Sequence, residues 1–123
     1  MNNKYILLVE DDAFLQQLYL ELLTGEGFHA TSSGDGREAL KLIKSKSWDL
    51  ILLDVMLPGL DGFQIVDELE KSDKDKISKI VYLTNLDGND DDLKKLKRAQ
   101  SYLIKSDMSP PEFIEKVKAL LSQ

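Results

Sequence analysis

The sequence has no cysteine and a single histidine, His29, among its 123 residues. The lack of cysteine excludes disulfide bonds, thiolate nucleophiles and cysteine-ligated metal sites. One histidine excludes histidine-rich zinc sites and argues against a histidine-based catalytic triad. Long apolar runs are also missing, because only five apolar residues stand between Lys4 and Glu10, fewer than a signal peptide or a membrane span requires. We therefore expect a soluble, cytoplasmic protein with no membrane partner.

Basic residues are in the minority, since 16 Lys and Arg stand against 22 Asp and Glu, a formal net charge of −6. A nucleic-acid-binding surface needs clustered basic residues to neutralise phosphates, so this balance predicts no nucleic-acid partner. A hydrophobic share of 42% is enough for one packed core. No linker or low-complexity stretch divides the chain, so we expect one domain over residues 1–123 and no separate output domain.

Short, nearly continuous apolar runs alternate with segments whose apolar residues lie three or four positions apart. Runs of this kind are typical of parallel strands that are covered on both faces. They are Tyr5–Val9, Leu50–Leu53, Ile80–Leu83 and Tyr102–Ile104, with a more polar run, Phe28–Thr31, that suits an edge strand. The spaced segments predict amphipathic helices, with apolar faces at Phe14/Leu15/Leu18/Leu22, Ala39/Leu40/Ile43, Phe63/Val66/Leu69, Leu93/Leu96 and Phe113/Val117/Leu120/Leu121.

Five strands that alternate with five helices predict an α/β fold. The expected architecture is a doubly wound, five-stranded parallel sheet with helices on both faces, in three layers. Two helix starts, Asp35–Glu38 and Ser109–Glu112, have the spacing of a capping box. Sheets of this kind bind their ligands outside the carboxyl ends of the strands, so the residues at those ends are the first candidates for a site.

Polar side chains stand at the ends of four of the predicted strands. Glu10 and Asp11 follow the first strand, Asp54 the third, Thr84 the fourth and Lys105 the fifth. Carboxylates held a few ångströms apart repel one another, and a hard divalent cation such as Mg²⁺ relieves that repulsion. A lysine and a hydroxyl beside such a site are what a bound phosphoryl group requires.

Each strand-end residue also has an ordinary structural interpretation. A carboxylate at this position is commonly a helix N-cap, which is the role we predict for Asp12. Taken alone, Lys105 is consistent with an ordinary surface lysine whose charged end reaches water. Thr84 alone is consistent with a strand-end residue that has no functional role. Asp54 is harder to explain in this way, because a carboxylate beside a core strand is costly to bury without compensation. The occurrence of such residues at four strand ends together favours a functional site.

Four motifs, taken together, resemble the receiver domain of two-component response regulators from Lys4 to about Leu121. They are Ile6–Asp12, Leu50–Gly62, Val81–Thr84 and Tyr102–Lys105. The resemblance implies a flavodoxin-like sheet with strand order 2-1-3-4-5. It also implies a role in a phosphorelay, as a signalling switch that catalyses only its own phosphorylation and dephosphorylation.

The resemblance assigns a phosphoacceptor and its cofactor by motif position. Asp54 would take a phosphoryl group from a phosphohistidine of a sensor histidine kinase or a histidine phosphotransfer protein. Mg²⁺ would be held by Glu10, Asp11, Asp54 and the backbone carbonyl of Met56.

The resemblance also implies a switch. Lys105 would pair with one phosphoryl oxygen, and Thr84 would donate its hydroxyl to another. Tyr102 would turn from exposed to buried as Thr84 moves, although a half-buried strand aromatic is the ordinary interpretation. The output surface would be the fourth helix, fifth strand and fifth helix, residues 90–121. It would bind an unknown downstream protein, or a second copy in a phosphorylation-dependent homodimer.

Three departures from the family pattern lie close to these positions. Ser106 follows Lys105 where a proline, often with a cis bond, is usual; a cis bond without proline is costly, and the sequence leaves open whether this bond is cis or trans. Asn85 follows Thr84 where the family usually has a smaller residue, and we expect it to narrow access to the phosphoryl group. The stretch Arg98–Ser101 lacks the usual glycine before the last strand.

Three other interpretations compete with this one. A haloacid-dehalogenase-type aspartyl-phosphate hydrolase needs a second aspartate two residues after the first, where this chain has Met56. A flavin or nucleotide binder needs a Gly- or Ser/Thr-rich phosphate loop after the first strand, where Glu10–Asp12 would repel the ligand. The stronger alternative is a receiver module from a hybrid kinase or a transcription factor. The initial Met1 and an end just past the last helix favour a stand-alone regulator.

Overall fold

The computed structural model describes residues 3–85 and 94–123 and contains one five-stranded parallel sheet. The strand order is β2-β1-β3-β4-β5, which is the order that the resemblance implies. The strands are β1 Tyr5–Val9, β2 His29–Ser33, β3 Leu50–Asp54, β4 Ile80–Thr84 and β5 Ser101–Ile104. In the sheet, β1 lies between β2 and β3. The chain runs from β1 to β2 on one side and from β3 to β4 on the other, so the connections that follow β1 and β3 leave in opposite directions. Ligands of such sheets bind at the carboxyl ends of these two strands.

Helices cover both faces of the sheet. They are α1 Ala13–Gly25, α2 Gly36–Ser45, α3 Gly62–Ser72 and α5 Pro110–Leu121, with a helical segment at 94–96 that we call α4. Short 3₁₀ segments follow α3 at Lys74–Lys79 and β5 at Lys105–Asp107. The fourth predicted helix includes Leu93, which lies outside the described residues. In the described part of the chain, no helix combines the length and the apolar character that a membrane crossing needs.

Alternate residues of the central strands supply two separate hydrophobic cores. Leu7 and Val9 of β1 pack with α2 and α3 on one face, while Ile6 and Leu8 pack with α1 and α5 on the other. Successive side chains of a strand point to opposite faces, so a strand that is apolar at every position is buried on both sides. The two cores confirm the predicted three-layer arrangement.

The predicted apolar face of α1 is partly wrong. Phe14, which we expected in the core, is 73% exposed, whereas Tyr19 and Leu23 are buried. At about 100° per residue, Phe14 lies about 140° around the helix from Tyr19. Tyr19 stacks on Phe113 of α5 with ring centroids 4.3 Å apart, and both rings belong to the core on that face of the sheet.

Side-chain caps determine where several helices begin. The Asp12 carboxylate accepts a hydrogen bond from the Leu15 amide at 3.0 Å, which confirms Asp12 as the N-cap of α1. Ser109 and Glu112 form the predicted reciprocal capping box at the start of α5. At α2 only half of the prediction is correct. Asp35 caps the helix, but the carboxylate expected to complete the box, that of Glu38, accepts instead from the Ser33 hydroxyl at 2.6 Å.

Candidate functional site

A cavity of about 520 Å³ opens at the carboxyl ends of the strands. Its lining includes all five residues predicted from the strand ends, and Met56 as well: Glu10, Asp11, Asp54, Thr84, Lys105 and Met56. The strand register explains this convergence. Val9 pairs with Leu53 in the β1–β3 ladder, so the next residues, Glu10 and Asp54, emerge side by side.

Three carboxylates meet in this cavity. Glu10, Asp11 and Asp54 each offer an oxygen, and these oxygens lie within 4.8 Å of one another. Glu10 and Asp54 are buried, while Asp11 is exposed. A group of oxygen ligands with one side open to water is the kind of site in which Mg²⁺ binds and retains some of its waters. The donor set therefore fits a magnesium ion.

The Lys105 ammonium lies between two of these carboxylates. Its Nζ donates to Glu10 Oε1 at 2.9 Å and to Asp54 Oδ2 at 3.0 Å. Burial lowers the pKa of Lys105, but the hydrogen bonds with Glu10 and Asp54 outweigh that effect, and its pKa is raised. The lysine is therefore charged, only partly exposed and held against the predicted phosphoacceptor, and the interpretation of it as an ordinary surface lysine is wrong.

Burial also has the largest effect on the pKa of Glu10. It raises the pKa of this carboxyl group, and the neighbouring Asp54 raises it further, while hydrogen bonds from the Asp12 amide and Lys105 act in the opposite direction. A carboxylate that is unfavourably charged in the folded protein gains from any added cation.

Main-chain groups fix the orientation of the two buried carboxylates. The Asp12 amide donates to Glu10 Oε2 at 3.0 Å, and the Met56 amide donates to Asp54 Oδ1 at 3.1 Å. Close to Asp54, the first residue of α3 has to be small, because a Cβ at Gly62 would lie 2.6 Å from the Asp54 carbonyl oxygen. Both oxygens of Asp54 thus have a hydrogen-bond donor, one from Met56 and one from Lys105.

Gln16 supports the same corner of the cavity and was not predicted. Its amide nitrogen donates to the Glu10 carbonyl at 2.6 Å, and its amide oxygen accepts from the Ser32 hydroxyl at 3.3 Å. The side chain thereby ties α1 to the ends of β1 and β2. Gln16 is the fourth residue of α1, and nothing in the sequence around it signals this role, because the ends of β1 and β2 become neighbours only when the two strands pair.

The two predicted switch residues occupy different places. Thr84 is the last residue of β4, is 9% exposed and lines the cavity. Tyr102 lies on β5 opposite Tyr82, is 38% exposed and contributes to a separate groove beside α5. Among the described residues there is no cis peptide bond, so the bond between Lys105 and Ser106, which the sequence left open, is trans.

Comparison with known proteins agrees with this geometry. The family model described as the response regulator receiver domain matches residues 6–118. The transcriptional regulatory protein HprR of Escherichia coli K12 is 36% identical over 119 residues, which cover 96% of this chain and 52% of HprR. The DNA-binding response regulator MtrA of Mycobacterium tuberculosis H37Rv is 35% identical over 116 residues, 94% of this chain and 50% of MtrA.

One similar solved structure contains a magnesium ion. The receiver domain of the sensor histidine kinase PA1611 from Pseudomonas aeruginosa PAO1 superposes with a TM-score of 0.85 at 26% identity, covering 98% of this chain and 99% of that one. It was determined with a magnesium ion coordinated in its active site cleft. Receiver domains are signalling switches, and this chain spans about half the length of the curated relatives it matches. With the matching sheet order and acidic cavity, these comparisons show that the chain belongs to the response regulator receiver domain family.

Proposed function

We propose that Asp54 accepts a phosphoryl group from a phosphohistidine of a sensor histidine kinase or a histidine phosphotransfer protein. The observation that carries this proposal is a buried Asp54 carboxylate with Lys105 Nζ 3.0 Å away and two more carboxylates within 4.8 Å. An Asp54 oxygen attacks phosphorus, the phosphorus–nitrogen bond breaks, and the histidine nitrogen keeps the electron pair. The product is an aspartyl phosphate. Because such donors are phosphorylated with cytoplasmic ATP, we place the reaction in the cytoplasm.

We assign the metal site to Glu10, Asp11, Asp54 and the backbone carbonyl of Met56. When bound, Mg²⁺ would neutralise the negative charge that builds up between the Asp54 carboxylate and the phosphoryl oxygens. The acidic cluster of this chain and the magnesium ion in the PA1611 receiver domain support this assignment.

Two further residues act on the phosphoryl group in this proposal. Lys105 already faces Asp54 and would pair with a phosphoryl oxygen in a charge-assisted hydrogen bond. Thr84, at the end of the adjacent strand, would donate its hydroxyl to a second oxygen. Both residues line the cavity that Asp54 faces, which supports these roles.

Met56 bears on how long the phosphoryl group persists. Its side chain is 75% exposed at the cavity and carries no polar group that would orient an attacking water molecule. A haloacid-dehalogenase-type hydrolase would need an acidic residue at this position. Leu86, the apolar residue two positions after Thr84, supports the same expectation from the sequence but lies outside the described residues. We therefore propose a comparatively long-lived aspartyl phosphate and slow self-catalysed hydrolysis.

The output in this proposal is a population shift of the surface formed by α4, β5 and α5. Of the predicted range 90–121, residues 94–121 are described. Tyr102 would move from its exposed position towards the interior as Thr84 is drawn to the phosphoryl group. Light scattering with and without a beryllium fluoride mimic tests whether this surface also forms a homodimer, and an unchanged mass would exclude self-association.

The downstream partner that we propose for this surface is a protein. The net charge of −6 argues against direct nucleic-acid binding by these 123 residues. MtrA is a DNA-binding regulator, but the match covers only 50% of it. A stand-alone regulator and a receiver module of a larger protein predict the same chemistry at Asp54.

Labelling of Asp54 tests the proposed function. Wild type and Asp54→Asn are incubated with acetyl phosphate and Mg²⁺, and the intact mass is measured. We expect one phosphoryl group on the wild type, none on the variant, and none on the wild type when EDTA removes the metal. Equal labelling of both proteins, or none of the wild type, would refute the proposal.

A further inference from the structure

Two of the residues that depart from the family pattern contact each other. Asn85 stands directly after Thr84, and Ser106 stands directly after Lys105. In the structure, the Ser106 backbone N–H donates a hydrogen bond to Asn85 Oδ1 at 3.1 Å. A small apolar residue at position 85 would offer no acceptor, and a proline at position 106 would offer no donor. The two departures therefore produce one interaction.

This hydrogen bond continues the pairing of two strands beyond their last paired residues. The β4–β5 ladder ends where Thr84 lies opposite Ile104. One step further along, the Asn85 side chain takes the place of a main-chain acceptor and holds the next part of the chain, the 3₁₀ segment Lys105–Asp107, against the end of β4. We call this interaction the Asn85–Ser106 clip.

We propose that Asn85 is a positioning residue for Lys105, acting through the Asn85–Ser106 clip. This inference rests on the proposed function, because it concerns the lysine that would pair with the phosphoryl group. Lys105 is attached to the clip through Ser106, and its Nζ must stay about 3 Å from Asp54 to make a hydrogen bond. The clip joins the segment that carries Lys105 to the segment that carries Thr84, so the two groups that face the phosphoryl oxygens are held relative to one another.

The size of the effect follows from the exposure of the clip. Asn85 and Ser106 are both exposed, so their hydrogen bond competes with water and contributes modestly. Holding Lys105 in advance lowers the ordering cost of binding a phosphoryl group. Loss of one neutral hydrogen bond should therefore weaken phosphoryl-analogue binding by about two- to fivefold.

The test uses beryllium fluoride with Mg²⁺, which stands in for the phosphoryl group on Asp54, and follows backbone amide resonances by NMR. Asn85→Ala removes the acceptor, Ser106→Pro removes the donor, and the double variant removes both. Ser106→Ala is the matched control, because it changes the same residue but keeps the backbone N–H. Asn85→Gln asks whether a longer side chain with the same amide restores the interaction in part.

We expect each single variant to weaken beryllium fluoride binding by about two- to fivefold and the double variant by no more than either one alone. The Ser106→Ala control should bind like the wild type. Hydrogen exchange of the Ser106 amide should accelerate in Asn85→Ala, while the unfolding free energy stays close to that of the wild type. This combination separates a positioning role from a merely structural one.

Two sets of results would contradict this proposal, and they differ in what else they contradict. Wild-type affinity in both single variants, or additive losses in the double variant, would overturn the clip while leaving the proposed function intact. A wild-type protein that gives no beryllium fluoride response, or a response that persists in Asp54→Asn, would overturn the proposed function and the clip together.

Discussion

Replacing Lys105 with methionine removes the ammonium group between two buried carboxylates while keeping an unbranched stem of similar length. The Lys105 side chain is 11% exposed, and its partners Glu10 and Asp54 are 0% and 3% exposed. Removing one partner of a buried ion pair costs about 3–5 kcal/mol, because the remaining charge is left uncompensated. The cavity is open to water on one side, which places the expected loss at the lower end, about 3 kcal/mol.

Magnesium should reverse much of this loss. In the wild type the ammonium and a bound Mg²⁺ repel each other across the same carboxylates, so Lys105→Met should bind Mg²⁺ about tenfold more tightly, equivalent to about 1.4 kcal/mol. Because a ligand that binds only the folded state stabilises it, saturating Mg²⁺ should raise the unfolding free energy of the variant more than that of the wild type.

Urea unfolding at pH 7.5, in EDTA and in saturating Mg²⁺, measures both effects, and a calorimetric titration gives the magnesium affinity directly. The matched control is Lys41→Met, the same substitution at an exposed position of α2, which should change neither quantity. If Lys105→Met is as stable as the wild type in EDTA, or binds Mg²⁺ no more tightly, the ion pair does not control this site and the reasoning is wrong.

Three further predictions concern single side chains. The pKa of Glu10 is raised, so its ionisation opposes folding as the pH rises above 4.5. In EDTA the unfolding free energy of Glu10→Gln, relative to that of the wild type, should therefore increase as the pH is raised above this value, and a difference that is independent of pH would contradict this. Met56→Asn should shorten the lifetime of the aspartyl phosphate, followed by intact mass after the donor is removed, and a slower decay would count against the proposed role of Met56. Ser109→Ala removes one half of the capping box of α5 and should lower the unfolding free energy by about 1 kcal/mol, measured in urea, whereas no change would mean that water replaces the cap.

The exposed position of Phe14 shows where pattern reasoning about a helix loses accuracy. Periodicity predicts that α1 has an apolar side, but several apolar residues in this helix compete for that side. The side that is buried is the one on which Tyr19 stacks on Phe113, a residue of a helix distant in sequence. The predicted helix was therefore correct, but its predicted face included the exposed Phe14 and omitted the two buried residues, Tyr19 and Leu23.

The amino-acid sequence by itself determined the strands, most helix starts and the polar residues at the strand ends, because apolar periodicity and helix capping act between residues close in the chain. Only the tertiary structure decided which of these residues contact one another. Lys105 reaches Asp54 and Glu10 across 51 and 95 positions of the chain, and Asn85 reaches Ser106 across 21. Those contacts depend on the order and register of β1, β3, β4 and β5. Strand order is a property of the whole packed sheet: no local pattern encodes it, and from the sequence it was implied only by the family resemblance.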